Sequence, residues 1–256
     1  MSVGAITQYI DVAQIALYLF WIFFAGLVFY LHRESKREGY PLESDRSGSI
    51  KVQGFPAMPK PKTYLLADGS TVTVPNNKVS RQALNGTPAG TFPGAPLDPV
   101  GDPLHAGVGP GSWADRADIV EQTFEGTDKI VPLRVASDYE VSHSDNDPRG
   151  LQVFGADGQL GGTVRDVWVD RSEALFRYLE LDVAGAAHGP HVLLPVNFAK
   201  IEKRRVVVSA LLGAQIAQTP RLRHPDQVTR LEEEKIVAFY GAGTLYATPK
   251  RKEPLL

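Results

Sequence analysis

The chain has 256 residues, a formal net charge of −2 and no cysteine. Near-neutrality removes the overall basic field expected of a nucleic-acid-binding protein, and the missing thiols exclude disulfides and thiolate metal sites, in keeping with a reducing compartment. Outside the first apolar stretch and its flanks roughly 200 residues remain, enough for one well-cored domain with extensions.

Val12 to Leu31, VAQIALYLFWIFFAGLVFYL, carries no charge. At about 1.5 Å per residue, some 20 residues span the roughly 30 Å hydrocarbon core of a bilayer, so this stretch predicts a transmembrane helix. A buried core helix is usually shorter, and a secretory signal needs a basic n-region and a small-residue cleavage site that are both missing here. Asp11 is the only charge before the helix, whereas His32, Arg33, Glu34, Lys36, Arg37 and Glu38 follow it. By the positive-inside rule the N-terminus, residues 1–11, faces the periplasm and the bulk of the chain the cytoplasm. Tyr30 and Tyr40 suit the cytoplasmic interface, Tyr9 and Tyr18 the other end. The helix holds no His, Cys, Met, Asp or Glu, so it offers no ligand to a pigment metal, and one helix cannot enclose a pore. Ala25-Gly26 leaves a small flat spot for a partner helix, and docking against other subunits is expected.

Residues 32–128 read as an extended, surface-lying segment. Gly39 to Lys62 is polar and Pro-containing, without a periodic apolar face. Thr63 to Leu66 and Thr71 to Val74 flank Asp68-Gly69, which predicts a hairpin. Gly86 to Ser112 is a Gly/Pro-rich strap punctuated by Phe92, Leu97, Val100, Leu104 and Val108, a pattern expected to order on a partner surface. Residues 129–256 form the main domain. Short β-rich runs at 130–136, 151–154, 162–169, 177–183, 191–195 and 206–209 predict a compact, mainly antiparallel β domain. In the fourth run Leu179, Leu181 and Val183 alternate with Tyr178, Glu180 and Asp182, the pattern of a half-buried strand. Thr229 with Glu232 is a capping box that opens a C-terminal helix, with Glu232 to Glu234 suiting its positive end and Gly241 or Gly243 as its stop. The tail with Lys250, Arg251 and Lys252 reads as a solvated terminus.

No P-loop, dinucleotide fingerprint, H-E-x-x-H or G-x-S-x-G motif occurs. Of the six histidines, His32, His105, His143, His188, His191 and His224, only His188 and His191 are close, and an exposed turn accounts for them without a metal. Asp166, Asp170, Glu173, Glu180 and Asp182 fall within one strand-turn-strand unit. Crowded carboxylates resist joint ionisation, which allows relay chemistry; a hairpin with a solvated acidic face has the same spacing.

The chain resembles the H subunit of the purple-bacterial photosynthetic reaction centre along essentially its whole length. The resemblance is carried by Phe20-Trp21-Ile22-Phe23, Arg37-Glu38-Gly39-Tyr40-Pro41-Leu42, Pro61-Lys62-Thr63, Gly101-Asp102-Pro103-Leu104, Gly107-Val108-Gly109-Pro110 and Lys129-Ile130-Val131-Pro132. It continues through Asp147-Pro148-Arg149-Gly150, the run from Asp166 to Glu173, Arg177-Tyr178-Leu179-Glu180 and Glu232-Glu233-Glu234-Lys235.

The resemblance implies a single-pass protein of the bacterial inner (chromatophore) membrane whose cytoplasmic domain is a PRC-type barrel. It implies no catalytic site. Bacteriochlorophyll, bacteriopheophytin, quinones, non-haem iron and carotenoid are expected in the partner L and M subunits. A cytochrome subunit, a light-harvesting antenna and anionic lipid complete the candidate partners, with no nucleic acid. The implied role is to cap the quinone side, stabilise the core and conduct protons toward the secondary quinone. Glu173 falls on the family's carboxylate near that quinone, Asp170 and Arg177 on its neighbours, with Asp166 close in sequence. Where some members carry histidines and an aspartate at the proton entrance, this chain has Thr123, Glu125 and Thr127, so Glu121, Glu125 or Asp128 is expected to serve and a surface zinc site is not. Tyr30 with Arg33 one turn on is a candidate anionic-lipid contact, against simple interfacial anchoring. The alternative is a membrane-tethered PRC-barrel adaptor unconnected with photosynthesis.

Overall fold

Asp11, the one charge ahead of the apolar stretch, starts its helix. Its carboxylate accepts the backbone N–H of Gln14 at 2.8 Å while the Gln14 side chain returns to the Asp11 N–H, a reciprocal cap that satisfies two orphan donors. The computed structural model describes residues 6, 10–43, 51–76, 85–92, 94–185 and 191–252; Tyr9 and His188 lie outside them. The chain divides into two compact units, residues 1–81 and 82–256.

In the first unit, α1 (Val12–Ser35) exposes every side chain from Val12 to Arg33. A soluble core helix would bury one face, so its apolar surface awaits lipid or protein. The helix runs four residues past Leu31, because His32 and Arg33 complement the negative C-terminal end of its dipole. Beyond it, β1 (Leu42–Glu43) and β2 (Lys51–Val52) pair antiparallel inside a stretch expected to be only extended. The predicted hairpin forms as β3 (Lys62–Leu65) and β4 (Thr71–Val74), turning at Gly69 with a positive φ of 80° while Asp68 accepts the Ser70 N–H. Arg37 ties helix and hairpin together, holding Glu34 in two hydrogen bonds and donating to the carbonyls of Lys60 and Val74.

The second unit is built on a seven-stranded sheet. β7 (Ile130–Pro132), β8 (Gln152–Phe154), β9 (Leu160–Asp170), β10 (Leu175–Val183), β11 (Val192–Pro195), β12 (Ala199–Ile201) and β13 (Arg205–Val208) run β11-β10-β9-β8-β13-β12, with β7 also on β9. All pairs are antiparallel except β13 on β8. The long β9 serves three neighbours, β8 along its first half, β7 along its second and β10 throughout. Trp168, Leu179, Leu181, Leu193, Val206 and Ile216 meet in the core, closed by α2 (Arg230–Tyr246) through Ile236 and Tyr240.

Four expectations need correction. β10 is half-buried only at its end, where Asp182 is exposed: Tyr178 and Glu180 are buried along with Leu179 and Leu181, because their polar atoms find partners in Glu233, Arg134 and Trp168. The strap is not waiting on a partner throughout. It carries its own hairpin, β5 (Gly86–Pro88) with β6 (Leu97–Pro99), and buries Leu104 and Val108, although Phe92 and Val100 stay exposed. Neither Gly241 nor Gly243 ends α2, which continues to Tyr246. A Cβ at Gly241 would sit 2.4 Å from the Pro110 carbonyl oxygen and one at Gly243 2.5 Å from that of Ala210, so both glycines permit close packing. The basic tail is not simply solvated: Arg251 donates to the carbonyls of Ser209, Ala210 and Gly243, and Lys252 pairs with Asp98.

Candidate functional site

β9 ends on Asp170, whose side chain is fully buried. One carboxylate oxygen accepts the backbone N–H groups of Ser172 and Glu173 at 3.0 and 3.1 Å and shapes the β9–β10 turn. The other accepts from Arg177 Nε and Nη2 at 3.3 and 3.2 Å, with Lys129 Nζ 3.6 Å away. Ala174 closes the turn at φ 51°, the only positive φ outside glycine among the described residues. That conformation costs about 1 kcal/mol and places Glu173 at the outer edge, half exposed, with Arg177 Nη2 2.8 Å from its carboxylate.

Lys129 carries the network onward. Its ammonium also lies 3.6 Å from Glu121, which accepts from Arg230 Nη2 at 3.0 Å. The Arg230 hydrogen bond, assisted by the charge of Lys129, holds the Glu121 carboxyl below the ordinary range and keeps it an anion. Glu233 is different. Burial pushes its carboxyl above the ordinary range and the charge of Glu121 adds to that, against a 2.8 Å hydrogen bond from the Tyr178 hydroxyl. Burial beside Glu233 likewise raises the Tyr178 phenol far above its usual value. These groups line one cavity of about 740 Å³ whose wall includes Lys129, Asp170, Arg177, Tyr178 and Arg230. Such a space admits waters, and its lining supplies them with donors and acceptors.

The structure brings Glu173, Asp170, Arg177 and Glu121 into this network and leaves Asp166 out. Asp166 lies four residues back along β9, roughly 13 Å at the strand rise, and accepts from Arg134 at 3.0 Å. Arg134 also binds Glu180 at 2.5 Å and Asp226, while Glu180 takes the Trp168 indole N–H at 2.9 Å. Asp182 belongs to a third group with His191 and Arg165. Closeness in sequence therefore does not bring Asp166 to Glu173: Arg177 gathers Asp170 and Glu173, Arg134 gathers Asp166 and Glu180, and Arg165 links Glu180 to Asp182. Glu125 lies apart, exposed on the 123–127 turn above a cavity shared with Asp138, Tyr139 and Arg171. Tyr30 and Arg33 are both exposed near the end of α1. Among the described residues no three His, Cys, Asp or Glu side chains converge as metal ligands.

Sequence reading missed Glu233, taking the acidic triplet only as a complement to the helix dipole. Its position three residues before Ile236 and seven before Tyr240, both buried, puts it on the inward stripe of α2.

Residues 4–135 match the photosynthetic reaction centre H-chain N-terminal region, just over half of the chain. The chain belongs to the photosynthetic reaction centre H-chain family. Residues 140–215 match the PRC-barrel domain, in agreement with the sheet that carries β8 to β13. Over 76 residues, 30% of this chain, it is 30% identical to an uncharacterized protein of Deinococcus radiodurans, of whose length the match covers 28%. Within the H-chain match, α1 has the length and composition to cross a membrane.

Proposed function

We propose that this H-chain family member caps the quinone side of an L/M core and delivers protons from the cytoplasm to the secondary quinone by way of Glu173 and the cavity lined by its partner Arg177 together with Asp170 and Glu233. The observation that carries the reading is the continuous polar network from half-exposed Glu173 through Arg177, Asp170 and Lys129 to Glu121, beside a carboxyl with raised proton affinity. α1 spans the chromatophore membrane with its N-terminus periplasmic, and pigments, quinones and iron reside in the partner subunits. Tyr30 and Arg33 contact anionic lipid at the cytoplasmic end of the helix.

A quinone in the partner core takes up two electrons and two protons, and the second proton must cross a site shielded from bulk water. On this side burial raises the proton affinity of Glu233 in the cavity, while the carboxylates of Asp170 and Glu121 keep Lys129, Arg177 and Arg230 in place. Glu173, at the end of the network, exchanges protons with whatever faces the turn. The Arg177 contact limits how far its carboxylate swings, and the left-handed Ala174 fixes the backbone beneath it. The generic adaptor reading is disfavoured, because the H-chain match includes α1 and the strap as well as the barrel's first strand.

Flash-induced kinetics on the assembled complex test the proposal. Glu173→Gln keeps size and hydrogen bonding but cannot ionise; slower second-electron and proton transfer to the secondary quinone is expected, by about tenfold or more for a lost acid–base group, with initial charge separation unchanged. Asp166→Asn, in its own Arg134 cluster, is expected to leave these rates near wild type. Wild-type rates in Glu173→Gln across pH would remove the relay role.

A further inference from the structure

Just after α1 the chain buries an ammonium that meets no carboxylate among the described residues. Lys36 is 2% exposed, and its Nζ donates to the carbonyl oxygens of Gln53 at 2.7 Å and Pro56 at 2.6 Å, with the Tyr40 ring centroid 5.1 Å away. The negative end of the helix dipole supplies the compensating field. Gly54 sits between the two carbonyls at φ 65°, where a Cβ would come within 3.4 Å of Nζ. A His32 ring nitrogen lies 3.2 Å from the Phe55 carbonyl oxygen. Three anchor points, at the carbonyls of Gln53, Phe55 and Pro56, thus fasten the 53–56 loop to the last turns of α1.

What the loop leaves outside is an aromatic ring. Phe55 is 83% exposed, yet its centroid is 6.0 Å from that of Phe29, which belongs to the apolar run ending at Leu31. Phe29 precedes that end by two residues, roughly 3 Å along the axis, so Phe55 reaches the apolar band of the helix. From Val52 to Pro59 no residue is charged, and Lys51, Lys60 and Lys62 bracket the stretch. Three of the four loop carbonyls bonded within the protein, an apolar tip and cationic flanks suit a chain segment entering a lipid interface.

We propose that the 53–56 loop is a membrane-inserting tip, fastened by Lys36, that seats Phe55 among lipid chains beside the C-terminal end of α1, with Lys60 and Lys62 on anionic headgroups. The proposal rests on the reading of α1 as a membrane-spanning helix. Continuity of Phe55 with the exposed apolar surface of α1 makes lipid the occupant.

The absence of cysteine lets a single introduced thiol carry a nitroxide label in the full chain. Phe55→Cys, Ile22→Cys and Ser70→Cys are labelled and reconstituted in phosphatidylcholine/phosphatidylglycerol vesicles, and collision with oxygen is compared with collision with a water-soluble nickel chelate. At position 55 the oxygen-to-nickel ratio is expected several-fold above that at Ser70, on the hairpin turn, and below that at mid-helix Ile22. Adding Lys36→Met is expected to lower it toward the Ser70 value. If Ile22 is reached freely by nickel, the spanning reading fails. If Ile22 is deep but position 55 behaves as Ser70 does, the inserting loop alone is refuted. Shielding of position 55 from both reagents in the assembled complex would make the occupant protein and overturn the lipid assignment, and an unchanged ratio in Lys36→Met would overturn the fastening.

Discussion

Asp170 performs two jobs with its two oxygens, and substitution separates them. Asp170→Asn retains an oxygen for the Ser172 and Glu173 N–H groups but loses the charge that holds Arg177 and faces Lys129. Hydrogen bonds to charged groups contribute about 1.5–3 kcal/mol each when buried, but the Arg177 side chain is 39% exposed and solvent screens its share, so a loss of about 2 kcal/mol is expected. Asp170→Ala also strips both backbone donors of their acceptor. Each costs about 1–3 kcal/mol if water cannot replace it, and because the turn lies at the edge of the unit a total near 4 kcal/mol is expected. Urea unfolding of the full chain in detergent, followed by fluorescence with Trp168 as the buried reporter on β9, measures both. Equal losses in the two variants would refute the division of labour, and a neutral Asp170→Asn would refute the contribution of charge.

Glu233→Gln is expected to raise the melting temperature at pH 8 relative to wild type, with the advantage shrinking toward pH 4. Burial raises the folded-state pKa of Glu233, so its stabilising contribution is complete below the unfolded value near 4.3 and is lost as pH rises through the folded value. Glu121→Gln is expected to do the reverse: its lowered pKa stabilises above the unfolded value and that contribution fades as pH falls through the folded one, so the variant is weaker than wild type at pH 7 and equal to it in strong acid. Gly243→Ala would gain about 1 kcal/mol in an exposed helix, but the 2.5 Å approach of its Cβ to the Ala210 oxygen should outweigh that and destabilise by about 1–3 kcal/mol, readable in the same urea titration.

Local chemistry was enough to read α1, the Asp68-Gly69 hairpin, the positions of most barrel strands and the Thr229 cap, because each depends on residues within a few positions of one another. Asp170, Arg177 and Glu173, the residues that the resemblance names, are likewise neighbours on one hairpin. What the sequence could not decide was which second surface covers a strand or a helix. The outward face of β10 looked solvated until Arg134, 46 residues before Glu180, and Glu233, 55 residues after Tyr178, closed over it. The same long-range packing split Asp166 from Asp170, turned Gly241 and Gly243 from stops into contact points, and raised the proton affinity of a glutamate that looked like a dipole complement. Periodicity states what a residue prefers on its own element; burial, and with it desolvation and pKa, is set by elements brought from elsewhere in the chain.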